Sequence, residues 1–221
     1  MKKTLIAAIL ALSAASVAQL HAQGLIQWGN AFGGLASTAA IRAPIYGVDP
    51  ANPTLAQSGN TSTGRPAGTT QYGGALLAGT GFTVALYAGA TPTAVMANNT
   101  ATDVSVFQAG ASAGFMVGPR IAIIQGIGPS VPANVQFRAW DNRGGTVTSW
   151  AAVMADPNIA HGQSGVFATG GLGGPDPAGG PDISPPTTSG IRSFNLVGVP
   201  EPSLIALGAL ALGGLLLRRR K

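Results

Sequence analysis

Side chains that could carry out acid–base or nucleophilic chemistry are few in this chain of 221 residues. His161 is the only histidine between residues 23 and 199, and that stretch has no cysteine, glutamate or lysine. Ser164 follows three positions later, but its surroundings, Gly-Gln-Ser-Gly, are not the Gly-x-Ser-x-Gly turn that presents a nucleophilic serine. A catalytic triad would also need a carboxylate placed against the histidine. We therefore expect His161 to be structural or solvent-exposed, and we predict no catalytic residue and no enzymatic activity.

Carboxylates and metal ligands are equally sparse. The aspartates between residues 23 and 199 number six and lie far apart, and most are next to proline or glycine, where a turn explains them. This pattern favours neither the paired carboxylates of a glycosidase nor a clustered calcium loop. The absence of cysteine excludes disulfides, thiolate nucleophiles and cysteine-ligated metals. We predict no metal site and no cofactor.

Three tryptophans, Trp28, Trp140 and Trp150, could line a surface on which sugars stack. Aromatic side chains also bury large areas, so core packing is the expected place of at least one of them. A carbohydrate-binding module therefore stays open as an alternative function.

Alternation of apolar side chains at every second position predicts the strands that would hold these residues. The alternation is clearest at 81–87 and at 134–140, and Asp-Asn-Arg-Gly-Gly directly after the second segment is typical of a turn. Residues 149–155 predict one short helix, which Pro157 ends. Weaker strand candidates lie at 25–28, 104–107, 120–124, 165–169 and 193–197. Roughly seven strands between Gly/Pro breaks are typical of an antiparallel β-sandwich, which we predict for residues 23–197.

Two stretches lack such alternation. Residues 47–74 and 170–190 are rich in Pro, Gly, Ser and Thr and contain few large apolar side chains. Both are longer than an ordinary connection between strands, so we predict long surface loops or flexible linkers.

The distribution of charge argues against nucleic acid as a partner. The formal net charge is +5, but it comes from Lys2, Lys3 and four cations at the C-terminus. Between residues 23 and 199, six arginines balance six aspartates. Phosphate binding needs a basic patch on a folded surface, and this neutral stretch does not supply one.

Residues 1–22 have the layout of a secretory signal peptide: Met-Lys-Lys, an apolar run at 5–18 and then small residues. Cleavage after Ala22, which makes Gln23 the first mature residue, or after Ala18 fits this layout. The apolar run is short for a membrane span. We therefore predict export through the Sec translocon and removal by signal peptidase, rather than a retained membrane helix.

The C-terminus combines three features in a fixed order. Val199, Pro200, Glu201 and Pro202 precede an apolar run at 204–217, and four cations end the chain: Arg218, Arg219, Arg220 and Lys221. With Ser203 the run would rise about 22 Å as a helix, against a hydrocarbon core of roughly 30 Å. Snorkelling and local thinning could make up the difference. Because flanking cations stay on the cytoplasmic side, both ends would lie inside and the neutral middle outside.

Two prolines give the motif a defined shape. Pro200 and Pro202 lack backbone donors and bias the residues before them away from helix, so residues 199–201 should be extended. An extended segment with one carboxylate at the membrane boundary suits the cleft of an intramembrane enzyme. The simpler interpretation is that the prolines only end a domain before an anchor.

This combination resembles the PEP-CTERM sorting signal of exported proteins from Gram-negative bacteria that make exopolysaccharide. The resemblance covers about 22 of the 221 residues. It implies an exosortase, an integral-membrane cysteine peptidase or transpeptidase, as the partner that cuts near the motif. Pro200, Glu201 and Pro202 match the recognition triplet, residues 204–217 match the transmembrane helix, and residues 218–221 match the basic stop.

The sequence thus predicts three parts: a signal peptide at 1–22, a β-sandwich passenger at 23–197 and a sorting signal at 198–221. We expect an exported, non-enzymatic protein of the cell surface or extracellular matrix. The membrane would hold it through the C-terminal helix until an exosortase processes it, and exopolysaccharide is a possible further partner. A permanently membrane-anchored surface protein is the other alternative.

Overall fold

The computed structural model describes residues 23–33, 41–59 and 72–198. These residues form a mainly β fold with antiparallel sheets and two short α-helices, α1 (Pro92–Ala97) and α2 (Trp150–Ala155). The strands, in chain order, are β1 (Gln23–Trp28), β2 (Ala31–Phe32), β3 (Ile41–Arg42), β4 (Ile45–Tyr46), β5 (Phe82–Gly89), β6 (Asp103–Val106), β7 (Arg120–Gln125), β8 (Pro132–Asp141), β9 (His161–Gln163), β10 (Phe167–Gly171) and β11 (Phe194–Asn195).

The largest sheet has five antiparallel strands in the order β10-β8-β5-β6, with β9 also paired to β8. Its centre is the long ladder between β5 and β8, which runs from Phe82 opposite Asp141 to Gly89 opposite Asn134. Half of β5 consists of β-branched or aromatic residues, and β8 contributes Val135, Phe137 and Trp140; such side chains suit a pleated, buried surface. Since side chains alternate between faces, this register also decides which residues share a face.

One face of this sheet forms the inner cluster together with β1 and β7. These two strands pair antiparallel with each other and contribute Ile26, Trp28 and Ile124 to the same apolar core as Leu86 and Phe137. The Trp28 and Phe137 rings lie 5.4 Å apart, centroid to centroid. Smaller pairs complete the described fold, β2 with β3 antiparallel and β4 with β11 parallel.

The opposite face of the five-stranded sheet is also buried and forms the outer cluster, together with α1 and α2. Each helix begins with a hydroxyl cap: Thr91 accepts a hydrogen bond from the Ala94 N–H, and Ser149 accepts one from the Ala152 N–H. The cluster consists of Ala85, Tyr87, Val95, Trp140, Trp150, Val153 and Ile159. None of the helices in the described ranges is long and apolar enough to cross a membrane.

The prediction of a mainly β, antiparallel fold is confirmed. The strands predicted at 81–87, 134–140, 25–28, 104–107 and 120–124 are present, with ends shifted by up to two residues, as β5, β8, β1, β6 and β7, and the helix predicted at 149–155 is present as α2. The strand predicted at 165–169 lies two residues later, and the segment 193–197 contributes only two strand residues, which pair parallel. The predicted signal helix and C-terminal transmembrane helix fall outside the described residues.

After β10 ends at Gly171, the rest of the segment 170–190 forms an irregular loop that lies along β1. Leu25 exchanges two backbone hydrogen bonds with Gly173, and Gln27 bonds to Pro186 and Thr188. Adding a Cβ at Gly173 would place it 2.5 Å from Pro185, so a side chain there would displace the loop backbone. Of the two alternatives that the composition left open, the described residues show a packed surface loop.

Candidate functional site

Most of the predicted sorting residues fall outside the described part of the chain. These are Ala22 of the signal cleavage site, the motif Val199, Pro200, Glu201 and Pro202, and the cations Arg218, Arg219, Arg220 and Lys221. Gln23 is described, and it is the first residue of β1, where it lies opposite Gln125. A cut after Ala22 would leave this strand whole.

The described fold includes Gly198, the first residue of the predicted sorting segment. Val197 forms a bridge with His161: its N–H bonds to the His161 carbonyl at 2.7 Å, and its carbonyl accepts the His161 N–H at 2.9 Å. Gly198 donates to the Pro53 carbonyl. Processing beyond Gly198 would therefore remove none of these pairings.

His161 and Ser164 are engaged in structural contacts. The Nδ1 atom of His161 lies 2.8 Å from the Ile159 carbonyl oxygen, and its ring packs edge-on against Trp150 at 5.5 Å. The Ser164 hydroxyl accepts the Phe137 N–H and donates to the Gly165 carbonyl. This buried serine holds the backbone where β8 meets β9, and its hydroxyl is not directed at the histidine.

A small cavity of about 260 Å³ lies beside His161. Its walls combine the aromatic edge of Trp150 with the amide side chains of Gln57, Gln163 and Asn195. Asn195 is already engaged, since its amide accepts from the Gln57 N–H and donates to the Leu55 carbonyl. The Gln57 Oε1 atom is buried and has no hydrogen-bond partner among the residues that the structure describes.

The three tryptophans lie in the interior and offer no stacking surface. Trp28 and Trp140 are fully buried, and Trp150 is 6% exposed. Trp28 belongs to the inner cluster, whereas Trp140 and Trp150 contact each other edge to face in the outer cluster. The residues that motivated a carbohydrate-binding alternative are therefore used in packing.

Arg138 is a buried cation at the centre of the outer cluster, with only 2% of its surface exposed. Its Nε donates to the Gln136 side chain at 2.9 Å. Its terminal nitrogens donate to carbonyls at the end of α1: Asn98 at 2.8 Å, Val95 at 2.9 Å and Met96 at 3.2 Å. The partial negative charge at a helix C-terminus stabilises such a cation.

Two aromatic rings complete the surroundings of Arg138. Its guanidinium carbon lies 4.0 Å from the centre of the Tyr87 ring and 5.2 Å from that of Trp150. Burial lowers the pKa of this guanidinium, and Tyr87 partly offsets the effect. Burial likewise raises the pKa of Tyr87. With four hydrogen bonds to acceptors of the same chain, the arginine joins α1 to β8 rather than presenting charge to a ligand.

Asp103 joins the two sheets at the start of β6. Its carboxylate accepts hydrogen bonds from the Trp28 indole at 2.9 Å and from the Arg120 Nε at 2.9 Å. Burial alone would raise the pKa of Asp103, but the hydrogen bonds from Arg120, from Trp28 and from the Val104 N–H outweigh it and lower the pKa. The carboxylate thus links β6 to β1 and β7 in its charged form.

An open groove of about 520 Å³ lies between β7 and the chain that leads into β6. One wall is the whole of β7, and the Asp103–Arg120 ion pair joins the two walls at one end. The other wall consists of small and polar side chains: Ala88, Asn98, Thr100, Ala101 and Thr102. A wall made of six consecutive strand residues presents backbone as well as side chains, which suits an extended chain.

Sequence reasoning located β7 and β8 but missed the roles of these two features. An arginine between Phe137 and Ala139 is the ordinary pattern of a strand with one solvent-facing side, so nothing in the sequence indicated that Arg138 is buried. The groove could not be predicted from the sequence, because it forms only where the folded chain places residues 98–103 beside β7.

Among the described residues, no three His, Asp or Glu side chains lie close enough together to hold a metal ion. The described residues that line the cavity beside His161 include no carboxylate. Comparison of the chain with protein-family models, with curated proteins and with solved structures finds no match.

Proposed function

We propose that this chain is an exported protein of the cell surface or extracellular matrix, sorted by its C-terminal segment. The observation that carries the proposal is the ordered terminal sequence: the Pro-Glu-Pro motif, the apolar run at 204–217 and the four cations of 218–221. Its resemblance to the PEP-CTERM signal makes an exosortase the proposed processing partner, and residues 1–22 are the proposed export signal.

The pairings of the described residues are compatible with this division. β1 pairs with β7 from Gln23 onward, and Val197 pairs with His161. Removing residues 1–22 and 198–221 would leave every described strand pair in place and would remove the described bond from Gly198 to the Pro53 carbonyl. A neutral passenger between basic ends also agrees with export, because flanking cations are retained on the cytoplasmic side.

For the passenger we propose a β-sandwich with a structural or interaction role. Its two layers would be the five-stranded sheet and the pair β1–β7, which share the inner cluster. Face-to-face packing of two sheets over one apolar core is the arrangement typical of a sandwich. The Asp103 contacts to Trp28 and Arg120 would fix the two layers at one corner.

The test is the intact mass of the protein recovered from the envelope and medium of an exosortase-containing host. We expect the native chain to lack residues 1–22 and the segment that follows its cut near the motif. The double variant Pro200→Ala with Pro202→Ala should keep the C-terminal segment and accumulate in the membrane fraction. The matched control, Pro177→Ala with Pro181→Ala, changes two exposed loop prolines and should be processed normally.

A mature native chain that keeps residues 204–217 would contradict processing and would favour a permanent anchor. Equal processing of the motif variant and the loop control would show that the prolines are not recognised. A chain that stays in the cytoplasm with residues 1–22 attached would overturn the export proposal itself.

A further inference from the structure

The pair β1–β7 has two edges, and only one of them is covered among the described residues. On β1, Leu25 exchanges both of its backbone hydrogen bonds with Gly173, and Gln27 bonds to the Pro186 carbonyl and the Thr188 N–H. The loop at 170–190 therefore satisfies this edge. Within residues 23–33, 41–59 and 72–198, no segment bonds to the far side of β7 in this way.

The register shows which backbone groups of β7 are free. Leu25 lies opposite Ile123, and Gln27 lies opposite Ile121. Because Leu25 and Gln27 direct their bonds away from β7, these are the non-hydrogen-bonded positions of the antiparallel ladder. Ile121, Ile123 and, by the same alternation, Gln125 must direct their N–H and C=O groups away from β1. In the described ranges none of these groups has a hydrogen-bond partner.

The side chains of this edge do little to keep another strand away. Ile121 is 53% exposed and Ile123 is 49% exposed. Exposed edges are usually protected by charges or prolines within the strand, but Pro119 precedes β7, and Arg120 is bonded to Asp103. Six arginines and six aspartates leave residues 23–199 without net charge, so copies of the passenger do not repel one another.

We propose that β7 is a self-association edge, through which two copies of this chain pair antiparallel about a two-fold axis at Ile123. In this register Ile123 lies opposite Ile123 of the second copy, and Ile121 lies opposite its Gln125. Each pair exchanges two hydrogen bonds, so every free backbone group named above gains a partner. The isoleucines of the two strands cover one another on the exposed face.

The groove beside β7 provides room for this pairing. The wall opposite β7 carries alanine and threonine rather than bulky side chains, at Ala88, Thr100, Ala101 and Thr102. The second copy is the occupant favoured by these observations because β7 is complementary to itself in hydrogen bonds and in apolar side chains, and its one charge, Arg120, is already paired with Asp103. A six-residue strand pair is small beside the ~800 Å² per partner of a standard interface, so the pairing requires a high local concentration.

The absence of native cysteine makes the register directly testable. Opposite residues at a hydrogen-bonded antiparallel position have Cα atoms about 5.5 Å apart, which falls within the range that a disulfide spans. In the full chain, recovered from cells and mildly oxidised, Ile123→Cys should form a disulfide-linked dimer on a non-reducing gel. Ile121→Cys is the matched control: its two copies would lie roughly 14 Å apart and should stay monomeric.

A mixture of Ile121→Cys and Gln125→Cys chains should give the mixed dimer, since those positions face each other. As a variant without cysteine chemistry, Ile123→Lys places like charges opposite each other and should lower self-association at least tenfold. Dimers that form equally from Ile121→Cys and Ile123→Cys would overturn the register. If Ile123→Cys neither cross-links nor reacts with a maleimide, another segment occupies the edge and the second copy is excluded.

Discussion

The buried residues on the inner face of β8 are all apolar (Ala133, Val135, Phe137 and Ala139), whereas its outer face carries Gln136, Arg138 and Trp140, all of them buried. The inner face is stabilised by area removed from water, which depends little on direction. The outer face depends on donors that meet particular acceptors, above all the four hydrogen bonds of Arg138. β8 is thus buried on one face by apolar packing and on the other by hydrogen-bonded polar side chains.

The two faces should differ in how they tolerate substitution. A similar side chain can restore most of an apolar contact, because size and shape decide its free energy. A directed network has no such substitute, since each acceptor left without a donor in the interior costs free energy by itself. Conservative variants on the two faces therefore measure the difference.

The largest effect is expected on the inner face. Phe137 packs between Trp28 and Phe167, with ring centres 5.4 and 6.3 Å away. Phe137→Ala should lower the free energy of unfolding by about 3–5 kcal/mol, because it leaves a cavity. Phe137→Leu should lower it by only about 1–2 kcal/mol. Urea unfolding measures the free energy of unfolding of both variants. An equal decrease for Phe137→Ala and Phe137→Leu would contradict the view that buried apolar area stabilises this face.

A somewhat smaller effect is expected for Arg138 on the outer face, with the opposite pattern. Arg138→Met keeps the apolar stem but removes the donors to Gln136 and to the end of α1, and should cost about 2–4 kcal/mol. Arg138→Lys should recover little of this, since one ammonium cannot reach acceptors that a planar guanidinium spans. A lysine variant as stable as the native chain in the same urea measurement would show that charge alone suffices there.

The alternation at 134–140 was enough to predict which residues of β8 share a face. That both faces are buried could not be predicted, because α1 covers the outer one. Residues 91–97 carried a signal for that helix, a Thr cap followed by proline at the first helical position, but a six-residue helix has little periodicity to detect.

The shortest strands mark the limit of sequence reasoning. β2, β3 and β4 have two residues each, so no alternation can be read in them, and β11 keeps only two residues of the strand predicted at 193–197. β11 exists because Phe194 lies beside Ile45, a contact between residues far apart in the chain. The open edge of β7 is similar: its strand was predicted from sequence, but its neighbours, and therefore its free backbone groups, depend on the whole fold.

The smallest expected effect concerns Asp103, which adds a hydrogen bond to the otherwise apolar inner cluster. Its carboxylate accepts the Trp28 indole N–H, and its pKa in the folded chain is lowered. A group with a lowered folded pKa stabilises the fold above its unfolded value of about 3.9 and loses that contribution as the pH falls through the folded pKa. Asp103→Asn should therefore be less stable than the native chain by about 1 kcal/mol at neutral pH, and the difference should vanish in acid.

Urea unfolding across this pH range measures that convergence. Asp141→Asn is the control, because Asp141 forms an exposed ion pair with Arg143 at 3.6 Å, and exposed pairs contribute little. Native and Asp103→Asn chains that lose stability in parallel from neutral to acid pH would show that the carboxylate does not link the sheets in its charged form. The stability of Asp103→Asn should approach that of the native chain in acid, whereas that of Asp141→Asn should not change relative to it. The packing of Trp28 on the inner face of β8 then depends in part on the charge of Asp103. The two faces of β8 would in that case differ in how much they rely on directed hydrogen bonds.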